Sequence, residues 1–222
     1  MAHVPAAERR PQIVEAAIGL MAREGVAAGS TRAIAAEAGV AQAMVHYTFG
    51  SKQELYRSVL EDLGRSLVTR VQAAMPTDAG FGETVSALVN ELWRTVTEER
   101  ERYRLLVELI MLSLRDPVLR QVASEFTHDL DATAARLLAD AATRAGQDLA
   151  LPAEEIARFF LSGFDGIVTR YLTDDYDLAA CESTLRLMLD TTLALAVPDA
   201  RPGPDARLGS DARLGTEARL ER

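Results

Sequence analysis

Residues 30–49 read STRAIAAEAGVAQAMVHYTF, and the fold is decided there. Two short helical segments flank Gly39-Val40-Ala41. A bend between them calls for left-handed backbone, which glycine accepts because it carries no Cβ. Two helices meeting at a steep angle also need a small residue at the contact, and Ala35 occupies that position. Ile34, Ala38, Val40 and Val45 are the apolar positions that fasten the pair to a third helix. The residues between them, Arg32, Gln42, Ala43, Met44, His46, Tyr47 and Thr48, are left on the outer side. The pattern is a helix-turn-helix. Ser30 or Thr31 caps its first helix, whereas Ala41 gives the second no side-chain cap.

Upstream, a helix follows Pro5 and runs to Glu24, with Ile13, Ala17, Leu20 and Met21 on one stripe and Gly25 as its stop. Downstream, Gly50-Ser51 closes the motif. Ser51 opens a long helix to about Ala74, and Glu54 three residues on completes the signature of a capping box. Further helical patterns lie near 82–97, 101–114, 117–145, 153–173 and 178–196, with breaks at Asp116-Pro117, Gly146-Gln147 and Asp174-Asp175. Strand-type alternation is almost absent, so the expected fold is all-α. From Pro198 a six-residue unit recurs, Asp205-Ala-Arg-Leu-Gly-Ser, Asp211-Ala-Arg-Leu-Gly-Thr and Glu217-Ala-Arg-Leu. One Leu per unit builds no core, so this tail reads as disordered, with a partner-binding arm as the other reading.

Composition narrows the function. Of 222 residues 48% are hydrophobic and 26% charged, enough for a packed core. No apolar run reaches the roughly 18 residues of a membrane span, and the start MAHVPAAERR lacks a signal-peptide core. A soluble, cytoplasmic chain is expected, with no membrane partner. Cys181 is the single cysteine, no Cys/His cluster suits a metal, and no cofactor is expected. Glu125-Phe-Thr-His128 has the spacing used in di-metal bundles but occurs once. No Gly-rich phosphate loop or nucleophile signature surrounds Cys181, so the chain does not read as an enzyme. Net charge is −9, yet residues 1–57 carry six basic and five acidic side chains. An anionic partner is therefore expected at the N-terminal quarter.

The stretch TRAIAAEAGVAQAMVHYTFGSKQELYRSVL, residues 31–60, preceded by MAREG, resembles the N-terminal domain of the TetR family of transcriptional regulators. The matching features are Thr31-Arg32, Ile34-Ala35, Ala38-Gly39-Val40, Tyr47, Phe49, Gly50-Ser51-Lys52 and Leu55, and the resemblance covers about residues 8–60. It implies an all-helical homodimer, a ligand-responsive repressor of DNA with a palindromic operator. The N-terminal three-helix domain, residues 1–50, would bind double-stranded DNA. A connecting helix at 51–75 would join it to a ligand-binding and dimerisation domain at 76–197, followed by the tail at 198–222. On that match Gln42 pairs with adenine, Ala43 and Met44 lie in the groove with Met44 on a thymine methyl, and Tyr47 and Thr48 reach phosphates. Thr31 and Arg32 contact the backbone. Lys52, the one lysine in the chain, shares a phosphate with a helix N-terminus. Two departures stand out: His46 where the family has tyrosine, and Ala41 where it often has serine or threonine. A helical ligand-binding or adaptor protein with a non-functional reading head is the rival reading.

The C-terminal half carries broader apolar faces. Helix 153–173 is apolar on more than one side, as is 178–196, which suits a four-helix dimer interface. Phe160, Gly163, Ile167, Tyr171, Leu185, Met188 and Thr192 are the residues expected there. Trp93, Tyr103, Met111, Phe126, His128, Phe164 and Asp165, the large or polar side chains of the region, are the candidates for a small-molecule pocket. Asp165 would meet either a ligand or an arginine such as Arg136 or Arg170.

Overall fold

The computed structural model describes residues 6–173 and 177–197; the repeat-bearing tail lies outside the described residues. The helices are α1 (Ala6–Glu24), α2 (Thr31–Glu37), α3 (Gln42–Phe49), α4 (Lys52–Ala73), α5 (Phe81–Glu98), α6 (Arg100–Ser113), α7 (Pro117–Arg144), α8 (Ala153–Thr173) and α9 (Leu178–Ala196). A 3₁₀ turn at Val26–Ala28 links α1 to α2. No strand occurs among the described residues, and no helix is long and apolar enough to cross a membrane.

Local chemistry sets the boundaries. The Ser30 hydroxyl accepts from the Ala33 N–H at 3.1 Å, which resolves the cap of α2 in favour of Ser30. Ser51 likewise accepts from the Glu54 N–H at 3.1 Å. Only that half of the expected capping box forms. The Ser51 N–H is occupied by the Phe49 carbonyl at 2.8 Å, and the Glu54 carboxylate turns to Arg57 and Arg10 instead. Asp116 caps α7 through the Val118 and Leu119 N–H groups, with Pro117 at the first helical position.

One continuous apolar core runs from Ile13 on α1 to Ala196 on α9. The N-terminal helices are therefore seated on the rest of the molecule. Contact is made mainly through α6. The Glu108 carboxylate accepts from the Val26 N–H at 3.2 Å, Arg104 donates to the Ala22 carbonyl at 3.2 Å, and Arg102 pairs with Glu15 at 2.8 Å. On the α4 side the Tyr56 hydroxyl donates to the Val26 carbonyl at 2.8 Å. Gly64 lets α4 approach α7 closely: a Cβ there would stand 2.5 Å from the Phe126 ring.

Candidate nucleic-acid interface and ligand cavity

In the helix-turn-helix, Ile34, Ala35, Ala38 and Val45 are buried and Val40 is half-buried. Gly39 has φ +66°, and the Val40 N–H donates to the Ala35 carbonyl at 2.9 Å across the turn. This packing leaves Arg32, Gln42, Ala43, His46, Tyr47 and Lys52 exposed, with Tyr47 84% accessible. Met44 and Thr48 differ from the outward placement expected of them. Both are half-buried: Met44 packs on the core, and the Thr48 hydroxyl donates to the Met44 carbonyl at 2.8 Å.

Side chains at the α2–α3 junction are tied together. Gln42 Nε2 donates to Thr31 Oγ1 at 3.2 Å, and His46 Nε2 lies 3.4 Å from the same oxygen. Thr31 thus holds two side chains of α3 from α2, a role the sequence did not disclose. At the start of α4, Lys52 Nζ lies 4.9 Å from the Tyr56 ring centroid.

The charge arrangement explains how a nearly neutral domain presents a cationic edge. Glu37 is paired with Arg23 at 3.0 Å, Glu15 with Arg102 at 2.8 Å, and Glu54 with Arg57 at 3.5 Å. Arg32 and Lys52 have no acidic partner among the described residues. Glu15, Glu37 and Glu54 each sit in a surface ion pair, while Arg32 on α2 and Lys52 at the start of α4 stay exposed as cations without one among the described residues.

The C-terminal helices enclose a cavity with about 80 Å³ of free space between α4, α5, α7, α8 and α9. Val68, Val85, Leu88, Leu92, Leu138 and Phe160 form much of its wall. None of the seven expected pocket residues borders it. Trp93 and Phe164 are buried in the aromatic core, Trp93 edge-on to Phe164 at 6.3 Å and tilted against Tyr171 at 5.3 Å. Tyr103 is buried beside a crevice of about 20 Å³. Met111 and His128 are exposed. Phe126 lines an open groove of about 630 Å³ between α4 and α7, next to the cavity. The aliphatic lining has no signature in the sequence, because Val, Leu and Ala at helical spacing announce only core.

Asp165 on α8 keeps part of its side chain in solvent, yet the helices crowded around the carboxyl strip much of its hydration, and this desolvation, with the charge of Asp131 second, raises it to about 6. A raised folded-state value means that the neutral form is favoured in the fold. The associated stability is full below the ordinary aspartate range and is lost as pH rises through about 6. Replacing Asp165 with Asn should therefore stabilise the protein at pH 7.5 by ~1 kcal/mol, after discounting for solvent screening. The gain should vanish by about pH 4, checked by urea midpoints at both pH values.

The residues expected at a dimer interface fall mostly inside the chain. Phe160, Ile167, Leu185 and Thr192 are buried in its own core. Tyr171 is half-buried against Trp93 and Arg100, and Met188 lies over Gly163 within the chain. The uncovered face is turned by about one residue. It presents Phe159, Ser162 and Gly166 on α8, with Leu187 and Leu195 on α9.

Two family models cover most of the chain. Residues 13–59 match bacterial regulatory proteins of the tetR family, and residues 82–194 match the C-terminal domain of BetI-type transcriptional repressors. The nicotine-responsive repressor HdnoR of Paenarthrobacter nicotinovorans is 26% identical over 170 residues, 77% of this chain and 87% of that protein. The regulator BetI of Vibrio atlanticus is 33% identical over 86 residues, 37% of this chain and 42% of its own. Among solved structures, the multidrug binding protein EbrR in complex with ethidium superposes with a TM-score of 0.59 at 29% identity, covering 81% of this chain and 98% of the other. With the all-helical architecture and the exposed helix-turn-helix edge, these matches establish that the chain belongs to the TetR family of helix-turn-helix transcriptional regulators.

Proposed function

We propose that the protein is a ligand-responsive repressor that binds a palindromic operator as a homodimer, with α3 in the major groove. The observation that carries this reading is the uncovered edge of Arg32, Gln42, Ala43, His46, Tyr47 and Lys52, from which the neighbouring acids are withdrawn into ion pairs. Gln42 and Ala43 at the start of α3 face base edges, and Tyr47 and Lys52 take phosphates. The uncovered α8–α9 face meets its two-fold mate, setting two reading heads about 34–36 Å apart, one duplex turn. A small molecule in the C-terminal domain shifts the population toward a spacing that no longer fits the operator.

Fluorescence anisotropy with DNA from upstream of the protein's own gene tests the reading, and sedimentation of the free protein tests the dimer. Specific binding should weaken steeply with added salt. Equal, feeble binding to every duplex would instead indicate a reading head without function. Lys52→Ala should lower affinity for all sequences and reduce the salt slope by about one phosphate contact per subunit. Gln42→Ala should relax preference at one base position, worth about 1–3 kcal/mol. Thr31→Val removes the oxygen that holds Gln42 and should relax the same position, while Thr31→Ser should retain it.

A further inference from the structure

We infer that the effector is an uncharged, largely hydrocarbon molecule with a single hydrogen-bonding end. Its apolar body would occupy the cavity between α4, α5, α7, α8 and α9, and its polar end would lie toward the α4–α7 groove. This rests on the ligand-responsive reading above and adds the chemical class of the ligand.

The lining carries the argument. Of the fifteen residues around the cavity, thirteen are Val, Leu, Ala or Phe, and the other two are Thr133 and Thr192. The Thr192 hydroxyl is spent on the Met188 carbonyl at 2.8 Å. No carboxylate faces the space to balance a cation, and no guanidinium or lysine to balance an anion. Phe160 is the single aromatic ring in the wall, too little for a cage around an ammonium. An ion placed there would lose its hydration without a counter-charge, which is strongly unfavourable even after relaxation. A hydrocarbon loses nothing by entering. The free space is about 80 Å³, against about 150 Å³ for the engineered apolar cavity that stays dry and takes up benzene. It therefore receives a short alkyl chain or part of a ring.

The way out fixes the polar end. Val68 and Thr133 border both the cavity and the groove. The Thr133 hydroxyl has no hydrogen-bond partner among the described residues, so it is available to a ligand where the wall changes from apolar to polar. Beyond it the groove mixes Glu61, Glu125 and Asp129 with Arg65 and Arg136. Acidic and basic groups are nearly balanced, which gives an ionic head group no strong preference. An alcohol or carbonyl oxygen at Thr133 satisfies both environments.

The test uses the full chain and three probes of one length: hexan-1-ol, hexyltrimethylammonium and hexanoate. Isothermal titration should show saturable binding of hexan-1-ol, with both ions at least about tenfold weaker. Ala134 on α7 also borders the cavity, so Ala134→Phe, which fills it, should abolish hexan-1-ol binding while retaining the parent's unliganded melting temperature to within a few degrees. Leu88→Ala, which enlarges it, should shift the preference to octan-1-ol. Stronger binding of hexyltrimethylammonium or hexanoate than of hexan-1-ol would overturn the inference. So would hexan-1-ol binding that both variants leave unchanged. Operator anisotropy separates the two levels of the argument: saturable hexan-1-ol binding with no loss of operator affinity supports the ligand class and counts against the responsive role. Operator release by the cation alone does the reverse.

Discussion

Phe164→Ala is expected to lower the unfolding free energy by about 3–5 kcal/mol, the range for removing a large aromatic from a packed core. Phe164 is 1% exposed, edge-on to Trp93 at 6.3 Å and stacked on Phe160 at 6.0 Å. Its loss removes apolar burial and two aromatic contacts, and the surrounding helices can close only part of the void. A urea titration should show a lower midpoint with an unchanged slope. The same variant should retain hexan-1-ol binding at temperatures where it is folded, because Phe164 does not border the cavity. A stable variant that has lost ligand binding would place Phe164 in the pocket after all.

Arg70→Ala is the second large effect. Arg70 on α4 donates to Glu91, Glu98 and Glu99 at 2.5 Å each, and Glu99 continues through Arg102 at 3.5 Å to Glu15 on α1 at 2.8 Å. Exposed pairs are worth under about 1 kcal/mol, and removing one partner of a buried pair costs about 3–5. Arg70 keeps 26% of its side chain exposed and serves three carboxylates, so about 2 kcal/mol is expected at pH 7. Its absence also leaves like charges facing one another at the joint between α4, α5 and α6. The pH dependence has a definite sign. Arg70, and then Arg94, hold the Glu98 carboxyl below its usual range. That stabilisation is present above the unfolded-state value and is lost as pH falls through the folded one. The difference between parent and variant should therefore shrink in acid, as chemical unfolding at pH 7 and pH 3.5 will show.

The reading head was legible in the sequence because its geometry restricts residue type at single positions. Ala35 must be small, Gly39 must accept a positive φ, and Ile34 and Val45 must be apolar, so twenty residues carry the fold. Helix boundaries were legible for the same reason at Ser30 and Ser51, whose cap hydrogen bonds form, whereas Asp116-Pro117 was legible only as a break and proves to be the cap of α7. The cavity was not. It is defined by space left between Val68, Leu88 and Leu138, and absence of atoms has no residue signature. Trp93, Phe164 and Tyr103 stand out in the sequence instead, and they are large because they fill the core. The apolar breadth of α8 and α9 was legible, but its phase was not. A helix apolar on two sides does not reveal which side its own chain covers, and about 100° separates Phe159, left open, from Phe160, buried. The Thr31–Gln42–His46 cluster joins two helices and depends on side-chain rotamers that no spacing rule supplies.

Trp93 is the sole tryptophan in the chain, 4% exposed, and its indole N–H has no hydrogen-bond partner among the described residues. Excited at its red edge, the protein therefore carries a single native chromophore, shielded from solvent and one residue along α5 from Leu92 in the cavity wall. Its emission should lie toward the blue in the folded state and respond when the wall rearranges around an incoming molecule. Occupancy of the C-terminal domain can then be followed optically, without a label, while a dye on the DNA reports the reading head in the same cuvette.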